Sequence, residues 1–208
     1  VVITGLGTVN ALGADVKTSW PRMLEGENGI HKIEFFDASN LPVNISGHVD
    51  YAPTKDFQAP EFRKLDPFTM YAIKASDEAF QDAGLDPRSL SDAQRERFGC
   101  IVGTGIGGIT GIEEQHLVMI ERGARRVSPH FIPKIMANAV SGQLAIRHGL
   151  MGTVFTTSSA CASSGHAIGM AFLALRGGDA DVALPGGVAG VASAVALAGF
   201  SFVNVSEP

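Results

Sequence analysis

Four short runs of apolar and β-branched residues recur along the chain. They are VVITG at residues 1–5, GCIVG at 99–103, TVFTT at 153–157 and DVALPGG at 181–187. Short apolar runs bounded by turn residues are typical of strands buried on both faces. The pattern therefore predicts four buried strands.

Helical patterns occupy the intervals between these runs. The predicted helices cover residues 16–24, 70–82, 135–147 and 162–176. In the second helix Ala72, Ala75 and Ala79 share one face, as residues three and four apart do on a helix. Strands that alternate with helices predict an α/β fold, with helices layered on a mixed, largely parallel sheet.

Residues 31–67 fit this alternation poorly. They are rich in proline, asparagine, aspartate and aromatic residues. We interpret them as an insertion lying over the core of a single domain that spans residues 1–208.

Composition and charge narrow the class of protein. The chain has 208 residues, of which 45% are hydrophobic, and its formal net charge is -5. This composition fits one globular domain, and the negative charge argues against a broad nucleic-acid-binding face. Spanning a bilayer takes about 20 consecutive apolar residues, and no run approaches that length, so we expect no membrane insertion.

The chain contains two cysteines, Cys100 and Cys161. Two are too few for a disulfide scaffold or a four-cysteine zinc site, so we expect no metal. The expected compartment is the reducing cytoplasm.

The segment GTGIGG matches the glycine spacing of a dinucleotide-binding loop through Gly103, Gly105 and Gly108. It follows a predicted strand, but the next helix begins late, and Glu121 is the nearby carboxylate available for a ribose. The alternative is a tight turn where the backbone passes close to a neighbouring element. We favour the turn and keep nicotinamide binding as a distant hypothesis.

Cys161 lies in the segment TTSSACASSG, where a predicted strand leads into a predicted helix. The unpaired N–H groups and dipole at a helix start favour a thiolate anion, which is the nucleophilic form of cysteine. Small neighbours such as Ala160, Ala162 and Gly165 leave room for a substrate carbonyl, and the N–H of Cys161 is a candidate oxyanion donor. The same small residues also suit tight packing, so a structural role stays open. Cys100, inside an apolar run, is expected to be a buried core residue.

Several ordered motifs resemble the N-terminal half of the β-ketoacyl-acyl carrier protein synthases, the condensing enzymes of fatty acid synthesis, and the synthase II type in particular. The resemblance spans nearly the whole chain. The motifs are VVITGLGTVNALG at the start, RKLDPF at 63–68, GTGIGG at 103–108, RRVSPHFIP at 125–133, SACASSGHAIG at 159–169 and GDADVALPGG at 178–187.

The resemblance implies a thiolase-like fold, of which this chain is the N-terminal half, in a homodimer. It implies that Cys161 accepts an acyl chain from acyl carrier protein as a thioester. A malonyl thioester on the same carrier then loses carbon dioxide, and its carbanion attacks the acyl thioester. No metal or organic cofactor is required.

Further residues carry over from the same resemblance. Ile106 and Phe200 match the wall of the acyl pocket, and Phe131 with Ile132 matches the segment that closes this pocket across the dimer. Arg63, Lys64, Arg125 and Arg126 match basic residues where the acidic carrier docks. The apolar residues are equally compatible with ordinary core, and the basic ones with a solvated face.

The chain also departs from the family pattern. Val188 and Ala189 stand where an acidic residue is common, and Asn204 stands where a basic one is common. The family's two histidines, lysine and second oxyanion donor belong to the other half of the fold, and we expect His166, five residues after Cys161, to serve packing instead. We therefore expect slow acylation at best from these 208 residues alone, and a non-catalytic subunit that dimerises or binds the carrier is the alternative hypothesis.

Overall fold

The computed structural model describes residues 1–190 and 193–201 of the chain. Short 3-10 turns cover Pro53–Lys55, Pro87–Ser89 and Ala124–Arg126. The other elements, in chain order, are α1 (Val16–Leu24), β1 (His31–Lys32), β2 (Ile45–Ser46), α2 (Ala59–Phe62), α3 (Pro67–Asp82), α4 (Asp92–Arg95), β3 (Phe98–Gly103), α5 (Ile109–Arg122), α6 (Phe131–Ile135), α7 (Ala139–His148), β4 (Val154–Thr157), α8 (Ser163–Gly177), β5 (Val182–Gly187) and α9 (Ala194–Ser201).

A parallel sheet with the strand order β4-β3-β5 forms the centre of the molecule. Each residue of β3 is buried, and Cys100 in its middle pairs with Val154 of β4 and Leu184 of β5. Helical crossovers between successive strands make this parallel arrangement possible. The predicted strands near residues 99, 153 and 181 are confirmed.

Helices cover both faces of this sheet. Alternate residues of a strand point to opposite faces, and Ile101 accordingly packs against Ala167 and Ala171 of α8. The larger core lies on the other face, where α3 and α7 contribute buried side chains. That core includes Ile73, Phe80, Phe98, Cys100, Val102, Val140 and Leu144.

Most helix boundaries follow from local capping. The Asp15 carboxylate accepts a hydrogen bond from the N–H of Thr18 at 2.7 Å, so α1 has its predicted bounds. α3 begins at Pro67, earlier than predicted, because Asp66 caps it and proline suits the first helical position. The helix predicted over 135–147 is found as α7, which begins four residues later, at Ala139, because the chain leaves the helical conformation at Met136, where the preceding helix α6 has ended.

The prediction of a strand at residues 1–5 is wrong. Both neighbours of β3 are other strands, and Val1 and Val2 are exposed. Directly after this segment the backbone is held by α3: the N–H of Leu6 donates to Asp82, and that of Thr8 to Glu78, each at 2.9 Å. Glycine permits this close approach, since a Cβ on Gly7 would lie 1.8 Å from the Ala75 carbonyl oxygen.

Residues 31–67 contain little regular structure. β1 and β2 pair antiparallel, with His31 opposite Ser46, and Ile33, Tyr51 and Phe57 are buried. The description of this segment as an insertion within one domain stays a prediction. Among the helices of residues 1–190 and 193–201, none combines the length and the hydropathy needed to cross a membrane.

Candidate active site

The carboxyl ends of the three parallel strands meet at one edge of the sheet, and Cys161 lies at this edge. It follows β4 by four residues and precedes α8 by two, and it is exposed. A cavity of about 140 Å³ opens beside it. The cavity is lined by Gly103, Thr104, Gly105, Ala160, Cys161, Ser163, Ser164, Gly187, Val188 and Ala189. Ligands of open α/β sheets bind at such an edge.

The turn that carries Cys161 is held by the side chain of Ser163. The Ser163 hydroxyl accepts a hydrogen bond from the N–H of Ser159 at 2.9 Å and donates one to the carbonyl of Ala160 at 2.7 Å. Ala160 has a φ of 51°, a left-handed conformation that costs a residue with a Cβ some energy. Two hydrogen bonds from one buried serine therefore stabilise a tight turn with the cysteine at its tip.

Two strand-end glycines allow α8 to approach the sheet closely. A Cβ on Gly103 would lie 2.2 Å from the carbonyl oxygen of Ser163, and one on Gly187 would lie 1.6 Å from the Ser164 hydroxyl oxygen. Real Cβ atoms do not come this near to other heavy atoms, so any larger residue would displace the helix start. The glycines thus bring the first turn of α8 against the ends of β3 and β5, next to Cys161.

Thr104 and Gly105, the first residues of the glycine loop at 104–108, line the cavity on the β3 side. The N–H of Thr104 donates to the carbonyl of Thr157 at 3.1 Å, and that of Gly108 donates to Ile135 at 3.0 Å. Gly107 has a φ of 85°, which favours glycine. The prediction of a tight turn with close backbone approaches is confirmed.

The two cysteines occupy opposite environments. Cys100 has no exposed surface, and burial raises the pKa of its thiol to about 12. Its expected role as a core residue is confirmed. Cys161, in contrast, is exposed at the sheet edge and borders the cavity.

His166 does not have the packing role expected of it. It is exposed, and its Nδ1 lies 2.6 Å from the hydroxyl oxygen of Ser159. One turn into α8, it therefore adds a polar contact to the turn that carries Cys161.

The four residues expected to line an acyl pocket lie outside the 140 Å³ cavity. Ile106 is in the glycine loop and is 45% exposed, whereas Ile132 at the start of α6 is 57% exposed. Phe131 is half-buried beside Ile132, and Phe200 in α9 is exposed. The structure of residues 1–190 and 193–201 does not bring these side chains into one cavity with Cys161, so their pocket role stays a prediction.

The four basic residues expected at a carrier-docking surface are all exposed. Arg63 and Lys64 lie between α2 and α3, and Arg125 and Arg126 lie just beyond α5. Lys64 also lines a larger cavity, of about 560 Å³, which shares no lining residue with the cavity at Cys161.

The positions that depart from the family pattern fall partly within the site. Val188 and Ala189 line the cavity beside Cys161. An acid at either position would add negative charge at the cavity wall, so these two residues leave the wall neutral. Asn204 lies outside the residues that the structure describes.

Some residues hold the site in place through hydrogen bonds without taking part in a reaction, and the sequence alone did not predict them. Thr104 and Asp66 act through buried hydrogen bonds between distant segments, such as that from the N–H of Gly111 to Asp66. Sequence spacing does not reveal such contacts. The one available signal was the aspartate-proline pair at 66–67, which is typical of a helix start.

An exposed cysteine on a tight turn at the carboxyl edge of a parallel sheet, next to a helix start, is a position that suits a cysteine nucleophile of an α/β protein. The family model described as "Beta-ketoacyl synthase, N-terminal domain" matches residues 1–208. The chain belongs to this family.

Curated relatives agree with the family model. The chain is 38% identical over 209 residues to 3-oxoacyl-[acyl-carrier-protein] synthase 2 of Rhizobium meliloti (strain 1021), covering 97% of this chain and 49% of the relative. It is 40% identical over 202 residues to the protein of the same name from Staphylococcus aureus (strain N315), covering 97% of this chain and 48% of the relative. The chain thus spans about half the length of the curated relatives that it matches.

Solved structures confirm the thiolase-like ketosynthase fold. The ishigamide ketosynthase/chain length factor matches with a TM-score of 0.85 and 25% identity, over 96% of this chain and 49% of that one. A beta-ketoacyl synthase from Burkholderia phymatum STM815 matches with a TM-score of 0.78 and 28% identity, over 96% and 49% of the two chains. A third match, with a TM-score of 0.80 and 25% identity over 97% and 54%, is a ketosynthase bound to its type II PKS acyl-carrier protein.

Proposed function

We propose that the chain is the acyl-accepting part of a 3-oxoacyl-acyl carrier protein synthase of fatty acid synthesis, with Cys161 as its nucleophile. The observation that carries the proposal is the position of Cys161, which is exposed at the sheet edge and borders a cavity. Family membership and the names of the curated relatives support it.

In the first proposed step the sulfur of Cys161 attacks the carbonyl carbon of an acyl thioester. The carbon-sulfur bond to the carrier breaks, the carrier thiol leaves with the proton that Cys161 gave up, and the acyl group remains on Cys161. The tetrahedral intermediate carries a negative oxygen, and we expect the N–H of Cys161 and the dipole of α8 to stabilise it.

In the second proposed step a malonyl thioester loses carbon dioxide, and the electron pair left on carbon attacks the acyl thioester. A carbon-carbon bond forms, and the sulfur of Cys161 leaves as a thiolate. The product is a 3-oxoacyl thioester that is two carbons longer. This step belongs to the whole protein, and it requires no metal or organic cofactor.

Intact-protein mass spectrometry tests the first step. Incubation with an acyl thioester should add the mass of one acyl group to the wild type and to Cys100→Ala, but not to Cys161→Ala. No mass gain in the wild type would support the alternative of a non-catalytic subunit. A gain that survives in Cys161→Ala would place the acceptor elsewhere.

We further propose that an acidic acyl carrier protein docks on Arg63, Lys64, Arg125 and Arg126. All four are exposed, and arginine suits phosphate and carboxylate partners. One structural neighbour is a ketosynthase in complex with its carrier. Docking is distinct from chemistry, because a small acyl thioester needs no docking surface.

Reversing the charge of the basic residues separates carrier docking from the acyl-transfer chemistry. Arg125→Glu with Arg126→Glu should slow acyl transfer from the carrier about tenfold at low salt, with no change for a small acyl thioester. Lys17→Glu, on an exposed position of α1, is the matched control and should transfer normally. Equal slowing with both donors would contradict the docking proposal.

The proposal includes a homodimer in the cytoplasm, with an acyl pocket built from Ile106, Phe131, Ile132 and Phe200. Exposed apolar side chains such as Ile132 support an interface, because contiguous exposed apolar patches mark interaction sites. The two free cysteines fit a reducing compartment. Sizing chromatography of Ile132→Asp tests the interface, since this variant should shift the wild-type dimer to monomer.

A further inference from the structure

Asp66 is a buried carboxylate that caps two helices at once. It is 1% exposed. One oxygen accepts a hydrogen bond from the N–H of Phe68 at 3.4 Å, within its own helix α3, and the other accepts from the N–H of Gly111 at 3.1 Å, within α5. These two helices begin more than forty residues apart in the chain.

The contact with α5 replaces a cap that α5 lacks. The residue at the cap position of α5 is Gly108, which has no side chain to accept from the first turn. The first four N–H groups of a helix have no partner within that helix, and a buried N–H without an acceptor is costly. Asp66 therefore supplies from another element what the cap position usually supplies locally.

The glycines of α5 make room for this carboxylate. A Cβ on Gly108 or on Gly111 would lie 2.8 Å from the same Asp66 oxygen. Glycine is thus needed at both positions for the Asp66 carboxylate to reach the backbone of α5.

The same contact anchors one end of the loop beside Cys161. The loop at 104–108 joins β3 to α5, and Thr104 and Gly105 line the cavity. Its β3 end is fixed by the hydrogen bond from Thr104 to Thr157. Its α5 end is fixed by the hydrogen bond from Gly108 to Ile135 and by Asp66.

We propose that Asp66 is a positioning residue for the acyl-accepting site, because it holds the glycine loop as a wall of the Cys161 cavity. This inference rests on the proposed function. Asp66 does not touch the cavity itself, so it acts through the backbone of residues 104–111.

The charges around Asp66 fit a polar anchor within the core. Desolvation is the largest influence and raises the pKa of its carboxyl, whereas the N–H of Phe68, Lys134 of α6 and the N–H of Gly111 lower it. Glu114 of α5 raises this pKa, and burial together with the charge of Asp66 raises the pKa of Tyr71 on α3.

Asp66→Ser separates the two caps. Serine is a good cap for its own helix, but its single shorter hydroxyl does not span to α5. Asp66→Asn is a second variant of nearly the same size, whose amide offers one acceptor oxygen in place of two. Asp15→Asn is the matched control, because Asp15 caps α1 alone.

Amide hydrogen exchange, acyl transfer to Cys161 and alkylation of Cys161 together test whether Asp66 positions the loop. In Asp66→Ser the amides of residues 107–111 should exchange about fivefold faster, the effect of losing one cap hydrogen bond, with no change in α8. The increase in Asp66→Asn should be no larger, because this side chain keeps one acceptor oxygen. Acyl transfer to Cys161 should slow by a similar factor, while alkylation by the small reagent iodoacetamide should keep its rate.

Three results would overturn the inference. These are unchanged exchange at residues 107–111, faster exchange spread evenly over the chain, or acyl transfer at the wild-type rate despite the local change. If the wild type itself accepts no acyl group, the proposed function fails, and the exchange measurement alone decides whether Asp66 positions the loop.

Discussion

The middle and the end of the central sheet hold the same chemical group in two different environments. Cys100 lies in the middle of β3 with no exposed surface, and burial raises the pKa of its thiol to about 12. Cys161 lies beyond the end of β4, is exposed, and borders a cavity whose other lining residues are mostly small. Chain position relative to the sheet, and not residue type, separates a core thiol from a candidate nucleophile.

The difference arises from what surrounds each thiol. β3 is flanked by strands and covered by helices on both faces, so Cys100 has no path to solvent. At the carboxyl edge the strands stop, and glycine and alanine fill the positions where larger side chains would close the cavity. The small size of these residues therefore keeps the cavity beside Cys161 open.

Alkylation kinetics offer the strongest test of this contrast. At pH 8, a thiol with a pKa of about 12 is ionised more than about a thousandfold less than an unfolded one. We expect iodoacetamide to label Cys161 alone in the folded chain and both cysteines in guanidinium. Cys100→Ala should take one label in either state. Labelling of Cys100 in the folded chain within tenfold of its unfolded rate would break the comparison.

Alanine substitutions test the close packing at the sheet edge. Gly103→Ala should destabilise the protein by about 3 kcal/mol, because its Cβ would overlap the backbone of Ser163. Gly186→Ala, in β5, is the matched control, since a Cβ there meets no atom within 4 Å. Urea unfolding measures both variants, and equal stabilities would show that the edge tolerates a side chain.

Alkaline pH tests the middle of the sheet. The folded-state pKa of Cys100 is raised, so its contribution to stability is complete below about pH 9 and is lost as pH rises towards 12. Between pH 8 and 10.5 the wild type should lose about 2 kcal/mol more unfolding free energy than Cys100→Ala. Tyr51, whose pKa is also raised, contributes equally to both proteins. If the unfolding free energies of the wild type and Cys100→Ala changed equally with pH, the burial of Cys100 would be contradicted.

Much of the fold followed from patterns in the sequence. The apolar run at 99–103 predicted β3, and the 3.6-residue periodicity predicted α1 with its observed bounds. These elements are decided locally, by apolar spacing and by caps such as Asp15. The position of Cys161 between a strand and a helix followed from the same local signals.

The rest depends on contacts between distant segments. The run VVITG has strand-forming residues, but the backbone directly after it, at Leu6 and Thr8, pairs with carboxylates of α3, which no local pattern encodes. The double cap by Asp66 is likewise visible only once α3 and α5 are placed together. His166 was expected to pack, yet its contact with Ser159 follows from the tight turn at Ala160.

Mapping the acylated residue tests the central claim most directly. After incubation with an acyl thioester, proteolytic peptides should carry the acyl group on Cys161, and neutral hydroxylamine should release it, as expected of a thioester. The peptide that contains Cys100 should stay unmodified. An acyl group on Cys100, on any other residue, or on none would contradict the account.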